Sequence, residues 1–237
     1  MTSSPRARLA LALFLGAVLF ASPVCAQSVV VSVPSTDVAR PGHVMLAHES
    51  QLNTWTYGRA YWNSFTFGTY GFAENMELAA TLYGLSSPAS GRRTVAVGYK
   101  HRVPLGTSVW EPTVAFGPML PVSLEGDGVG IWTYAVMSVR LPGVRTRFSA
   151  GPSYGSRQIF GRPTASLLAA IEQPITSRVS FVADWFSGEH ELGAFVPAMQ
   201  WNMTSNFIII AGVKVPTADR AGPVAGLVEL TFEFPVH

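Results

Sequence analysis

Two groups of side chains in this 237-residue chain have types and spacing suited to chemistry. The larger is a set of charged residues inside otherwise apolar, alternating stretches: Glu77, Lys100, Arg102, Glu111, Arg145, Arg147, Glu172, Arg178, Asp184, Lys214, Glu229 and Glu233. Successive side chains of an extended segment point to opposite faces, so each of these charges shares a face with the polar residues two positions away. Facing a water-filled passage they would sort solutes by charge; paired across it they would close it. Lys100/Arg102 and Arg145/Arg147 form the best anion-attracting ladders. The second group is His48-Glu49-Ser50, where the imidazole and the hydroxyl lie two residues apart on one strand face and the base can activate the nucleophile, with Asn53 to orient the ring. That pattern suits hydrolysis of a membrane lipid, but the spacing recurs by chance and the flanking residues do not extend it, so a non-enzymatic role is the main reading.

Other chemistry is poorly represented. His43, His101, His190 and His237 lie in separate segments without ligand spacing and read as rim residues, and no metal site or cofactor is expected. The glycines form no phosphate-binding loop ahead of a helix. Gly188-Glu189-His190-Glu191 reads as a charged turn, and Asp184 as a gate residue or a partner for Arg178.

The elements that would carry these residues are strands. From His43 onward, alternating stretches recur at 43–50, 62–72, 75–84, 94–102, 108–118, 129–140, 144–150, 164–173, 178–186, 190–201, 204–215 and 228–234, separated by Gly, Pro, Ser or Asn. The clearest is Val228-Glu229-Leu230-Thr231-Phe232-Glu233-Phe234, in which large apolar and polar residues alternate without exception. This pattern predicts about twelve strands, with ten to fourteen compatible because 164–173 also suits a helix. The longer connections, around 85–92, 121–128, 155–163 and 216–223, read as outer loops. Trp55, Tyr57, Tyr61, Trp62, Trp110, Trp132, Tyr134, Trp185 and Trp201 lie near strand ends, where interfacial aromatic girdles belong.

Composition states what surrounds these strands. Charged residues are 13% of the chain against 48% hydrophobic, with a mean hydropathy of +0.28, whereas soluble domains carry about 25% charged residues. No segment after residue 26 has the run of about 18 apolar residues that a membrane helix needs, and a closed barrel is the other structure that satisfies its backbone in lipid. The expected fold is therefore an all-β, transmembrane, antiparallel up-and-down barrel.

At the N-terminus, Arg6 and Arg8 precede an apolar run from Leu9 to Ala21 and the small-residue exit Val24-Cys25-Ala26, which reads as a signal peptide cleaved after residue 26. Cys25, the only cysteine, follows Ser22-Pro23-Val24 and lacks the leucine of a lipidation signal. Two of the 16 basic residues belong to this segment, so the remaining 14 balance the 14 Asp and Glu. A neutral chain offers no electrostatic case for nucleic acid. Residues 27–42 read as a periplasmic lead-in partly folded into the barrel mouth, and 43–237 as one barrel domain.

The segments Asn63-Ser64-Phe65-Thr66-Phe67-Gly68-Thr69-Tyr70-Gly71, Asn75-Met76-Glu77-Leu78 and Ala183-Asp184-Trp185-Phe186-Ser187-Gly188, with the closing Leu227–Phe234 stretch, resemble outer-membrane barrels of the transporter and MetA-pathway-of-phenol-degradation type. The likeness spans about residues 43–234 and rests on strand-and-turn patterns. It implies an outer-membrane location, passive uptake of an unknown small solute, and the lipid bilayer and outer-membrane assembly machinery as partners. This chain departs from such barrels where Pro235-Val236-His237 follow Phe234 in place of a terminal aromatic. The reading that emerges is a passive channel selective through its inward ladder, the alternatives being a closed structural or adhesive barrel and the His48/Ser50 hydrolase.

Overall fold

The computed structural model describes residues 28–53, 61–87 and 93–236; the signal-peptide assignment, Trp55 and Tyr57 lie outside them. Twelve antiparallel strands close into one barrel. They are β1 (His43–Asn53), β2 (Tyr61–Ala73), β3 (Met76–Ser87), β4 (Thr94–Pro104), β5 (Thr113–Ser123), β6 (Trp132–Arg140), β7 (Arg147–Gly155), β8 (Thr164–Pro174), β9 (Val179–Phe186), β10 (Ala194–Asn202), β11 (Phe207–Pro216) and β12 (Ala225–Pro235). Each pairs with its sequence neighbours, and β1 pairs with β12 from His43↔Pro235 to Asn53↔Ala225, so no sheet edge is left open. The segment 164–173 is strand, because Ser166, Leu168 and Ala170 alternate inward with outward-facing Leu167 and Ala169.

In β12 the buried positions are Ala225, Leu227, Glu229, Thr231 and Glu233, while Val228, Leu230, Phe232 and Phe234 are exposed. A water-soluble sheet would show the reverse. Here the carboxylates face the lumen and the apolar side chains face outward, the arrangement a hydrocarbon surrounding selects. Leu46, Leu78, Val97, Leu120, Phe148, Leu167, Met199 and Val213 continue the outward band on other strands. No described helix is long and apolar enough to cross a membrane, whereas strands of 8 to 13 residues match the length a tilted barrel strand needs.

The connections sort by rim. Residues 74–75, 105–112, 141–146, 175–178 and 203–206 join strands at the rim where β1 begins and β12 ends; 124–131, 156–163, 187–193 and 217–224 join them at the opposite rim. Of the segments read as outer loops, 88–92 lies outside the described residues, and those around 121–128, 155–163 and 216–223 fall on this second rim. It also carries a short helix, α1 (Arg157–Phe160), closed by Gly161 in the left-handed conformation.

Two girdle aromatics point elsewhere. Trp132 and Tyr134 occupy buried positions of β6, and the Trp132 indole donates to Ser153 Oγ at 2.8 Å inside the lumen. An indole near a strand end serves a girdle only if its parity turns it outward. Trp62, Trp185 and Trp201 have that parity, and Trp110 is exposed in the 105–112 connection.

Candidate functional site in the lumen

Residues 28–42 run through the lumen. Val30, Val31 and Val33 are completely buried and pack with the inward-facing Leu168, Phe186, Ile208 and Ile210, so part of the wall is apolar, which charge alternation alone, compatible with an open or a closed lumen, does not reveal. Burying such side chains favours the segment's position by about 1.5–3 kcal/mol each. Its backbone polar groups are satisfied partly within the segment, as where the Val30 amide bonds the Val33 carbonyl at 2.9 Å, and partly by wall side chains. Asp184 Oδ2 accepts from the successive amides of Val31, Ser32 and Val33 at 3.1, 2.6 and 2.8 Å, a three-donor nest around one carboxylate oxygen.

The second anchor is a buried lysine. Lys100 Nζ lies 3.0 Å from Glu77 Oε1 and donates to the carbonyls of Ser28 at 2.7 Å and Asp37 at 2.6 Å and to Ser28 Oγ at 2.7 Å. Glu77 also accepts from Ser28 Oγ and from the Ala39 amide, the latter at 2.6 Å. The third anchor is Arg147, which binds Glu172 through two bonds, one of 2.6 Å, and Asp37 Oδ2 at 2.6 Å. Burial alone would raise the Asp37 carboxyl, but the guanidinium of Arg147, with Lys100 and Arg102 behind it, holds it below the usual carboxylate range. Thr36 and Ser138 share a hydroxyl bond of 2.6 Å, and Arg40 meets Glu233 at 2.7 Å where the segment leaves the lumen.

That exit depends on Gly71. A Cβ there would stand 2.2 Å from the Arg40 carbonyl oxygen and 2.4 Å from that of Ala39. The missing side chain lets the segment pass close against the inner face of β2 on its way to β1, and the Gly42 amide bonds the Gly71 carbonyl at 2.8 Å.

At the other rim, α1 and the 187–193 connection fold over the lumen. The His190 ring stacks on Phe160 with centroids 4.0 Å apart, meets Phe186 edge-on at 5.0 Å and bonds Ser166 Oγ at 3.0 Å. Burial pushes His190 down to about 4, so it is neutral at physiological pH. It covers the lumen rather than fringing a rim. A vestibule of about 320 Å³ remains beneath Arg220, Glu189 and Glu191, and a cavity of about 90 Å³ lies between Ser28, Ser32, Glu49 and Tyr134.

The charged ladder therefore divides. Glu77, Lys100, Arg147, Asp184, Lys214, Glu229 and Glu233 are buried on the lumen side; Glu172 and Arg102 are inward and half-buried. Lys214 bonds the Glu191 carbonyl at 2.6 Å and Gln51 at 3.3 Å, beside Glu49. Glu111, Arg145 and Arg178 are exposed in the 105–112, 141–146 and 175–178 connections. Alternation had been extended past the strand ends there, and Glu111 (φ 45°) and Arg145 (φ 58°) adopt left-handed backbone that a strand does not permit. No Arg145/Arg147 ladder forms. Arg178 lies outside β9, and the partners of Asp184 are the amides instead.

The His48/Ser50 pair lies on the lipid-facing side of β1, with Ser50 Oγ 3.2 Å from His48 Nε2. Asn53, proposed as its orienting group, has the opposite parity and is buried inward. Its place is taken by Thr66 of β2, whose Oγ1 is 2.9 Å from His48 Nδ1. Sequence reading missed Thr66 because the contact depends on the β1–β2 register, which pairs His48 with Thr66 across the 54–60 connection. The lumen segment left a fainter trace, in the unalternating Val29-Val30-Val31 run and the Ser-Thr-Asp cluster that follows.

No family model matches this chain, and no curated protein is similar to it in sequence. Solved structures are similar in fold. The KdgM porin in complex with disordered oligogalacturonate superposes with a TM-score of 0.54 at 10% identity, covering 82% of this chain and 99% of that one. Omp33 of Acinetobacter baumannii gives 0.47 at 9% identity over 82% and 98%, and the translocator domain of the autotransporter NalP from Neisseria meningitidis 0.45 at 13% over 97% and 96%. The chain has the closed, antiparallel fold of an outer-membrane β-barrel.

Proposed function

We propose that the protein is a passive, gated channel for small solutes in the bacterial outer membrane, closed in the state described here by its own residues 28–39. It is then a transporter-type barrel of the kind its strand motifs resemble, delivered to the membrane by assembly machinery, with the rim holding both strand ends facing the periplasm. The observation that carries the reading is where the lumenal charges find their partners. Asp184 is satisfied by amides of the segment, and Lys100 and Arg147 divide their bonds between wall carboxylates and the segment. A wall held closed for structure alone would pair with itself. This wall pairs with a stretch of chain that is not itself part of the wall. Glu49, Glu77, Asp184, Glu229 and Glu233 outnumber Lys100, Arg147 and Lys214 among the buried wall charges. An opened lumen therefore favours cations, the reverse of the preference read from the arginine ladder.

The test is a disulfide across a close side-chain contact between segment and wall, Thr36→Cys with Ser138→Cys, whose hydroxyl oxygens are 2.6 Å apart. Refolded protein in a planar bilayer should show discrete, cation-selective conductance steps after reduction and none when oxidised, with heat-modifiability on gels confirming a folded barrel in both. A second reading, the closed structural barrel, is favoured by the apolar contacts of Val30, Val31 and Val33. A folded barrel that never conducts, reduced or with residues 28–39 deleted, would sink the channel in favour of that scaffold.

A further inference from the structure

We infer that the outer wall of β1 and β2 carries a second, catalytic site that hydrolyses the acyl ester of a membrane lipid, independent of whether the lumen conducts. Outward positions of β1 read Val44, Leu46, His48, Ser50 and Leu52, and those facing them on β2 read Tyr70, Gly68, Thr66, Ser64 and Trp62. Leu230 and Val228 of β12 flank His48 and Ser50 on the other side. Three partly exposed polar residues, His48, Ser50 and Thr66, thus interrupt an apolar band, in the surroundings where polar and ionisable groups are most costly and usually functional. Nothing in the barrel's closure requires them there: alanine or leucine would serve the ladder equally well.

Their arrangement is that of an activated nucleophile. With Nδ1–H donated to Thr66 Oγ1 at 2.9 Å, the imidazole presents the Nε2 lone pair to the Ser50 hydroxyl at 3.2 Å. All three side chains are only half-buried, so the nucleophile is reachable from the lipid side. The height is also right. Ser50 is three residues from the end of β1 at the loop rim, about 10 Å along the strand. Trp62, 6.5 Å from the His48 ring and exposed, marks the headgroup boundary that indoles prefer. Lipid ester linkages lie at that boundary. Gly226, opposite Leu52 on β12, leaves open space beside the site where an acyl chain can lie.

In the reaction, Ser50 Oγ adds to the ester carbonyl carbon and its proton passes to His48 Nε2. The bond to the lipid alcohol breaks, that alcohol takes the proton from Nε2, and the acyl group remains esterified to Ser50. Interfacial water then adds through the same base and releases a fatty acid, regenerating the hydroxyl. Thr66 is a positioning residue that holds the imidazole ring in place through Nδ1.

The experiment uses the refolded full barrel in detergent micelles containing either phosphatidylethanolamine or lipid A, with released fatty acid measured by mass spectrometry. A fluorophosphonate label is mapped to its residue in parallel. The expected result is turnover of one of the two lipids, which identifies the source of the ester, and labelling at Ser50. Ser50→Ala should lower kcat by roughly a thousand-fold or more while the barrel stays heat-modifiable. Thr66→Val should lower kcat roughly ten-fold at unchanged KM and move the acid limb of the pH–rate profile, with Thr66→Ser restoring both. A folded wild-type barrel that neither releases fatty acid from either lipid nor takes the label overturns the proposal, as does a Ser50→Ala barrel that keeps the rate.

Discussion

On the inner face of β1, Glu49 and Gln51 are buried and bonded to each other at 2.5 Å, with Lys214 reaching Gln51 from β11. On the outer face of the same strand, His48 and Ser50 bond each other and one neighbour, Thr66. Both faces hold polar side chains, but they differ in what depends on them. Inside, Glu77, Lys100, Arg147 and Asp184 hold residues 28–39 in the lumen, and Lys214 ties Gln51 to the 187–193 connection; removing one partner leaves another buried and uncompensated. Outside, the three groups satisfy one another and hold nothing else in place. A polar group that the fold needs is tied to many elements, and one that the fold does not need points to function.

The largest effect expected from this contrast is at Lys100. Replacing it with methionine strands Glu77 in the lumen and should cost about 3–5 kcal/mol in urea unfolding of the detergent-solubilised barrel. Adding Glu77→Leu should return much of that loss, and no recovery would show that the lysine acts through the segment's carbonyls instead. Asp184→Ala comes next, since it deprives three successive buried amides of their acceptor, at about 1–3 kcal/mol. Faster proteolysis within residues 28–42 should accompany it.

A smaller effect separates the two rims by pH. His190 titrates at about 4 in the folded barrel but near 6.5 when unfolded. Its neutral form is the one the fold holds, so its contribution is full above pH 6.5 and drains away as the pH falls toward 4. The Asp37 carboxyl is held below its ordinary range by Arg147, so its contribution is present above the unfolded carboxylate pKa and is lost at lower pH than that of His190. His190→Asn should flatten the stability curve between pH 6.5 and 4 and leave the more acidic limb intact. The smallest change is expected outside: Ser50→Ala and His48→Asn should each stay within about 0.5 kcal/mol of wild type. A loss there as large as that at Lys100 would erase the distinction between the faces.

Much of the barrel was legible in the residues alone, because alternation is a local property and membrane surroundings impose it strand after strand. β12 illustrates this: Val228 to Phe234 state both faces without reference to any other part of the chain. Strand ends were less legible, since Glu111 and Arg145 continue the polar rhythm while their backbones have already turned. Trp132 and Tyr134 show the same limit, as an aromatic near a strand end declares its level but declares its side only through parity.

By itself, then, the sequence determined an apolar, cysteine-poor chain of about twelve alternating strands with charges gathered on one face, since those features need only neighbours in the chain. The tertiary structure decided what occupies the lumen and what completes the His48/Ser50 pair. Val33 and Asp184 are 151 residues apart in the chain, and Arg147 and Asp37 are 110 apart. No local periodicity encodes contacts at such separations. They exist because closing the barrel brings every inward face around one axis, and the segment entering past Gly71 is the only described stretch outside the barrel wall long enough to fill it.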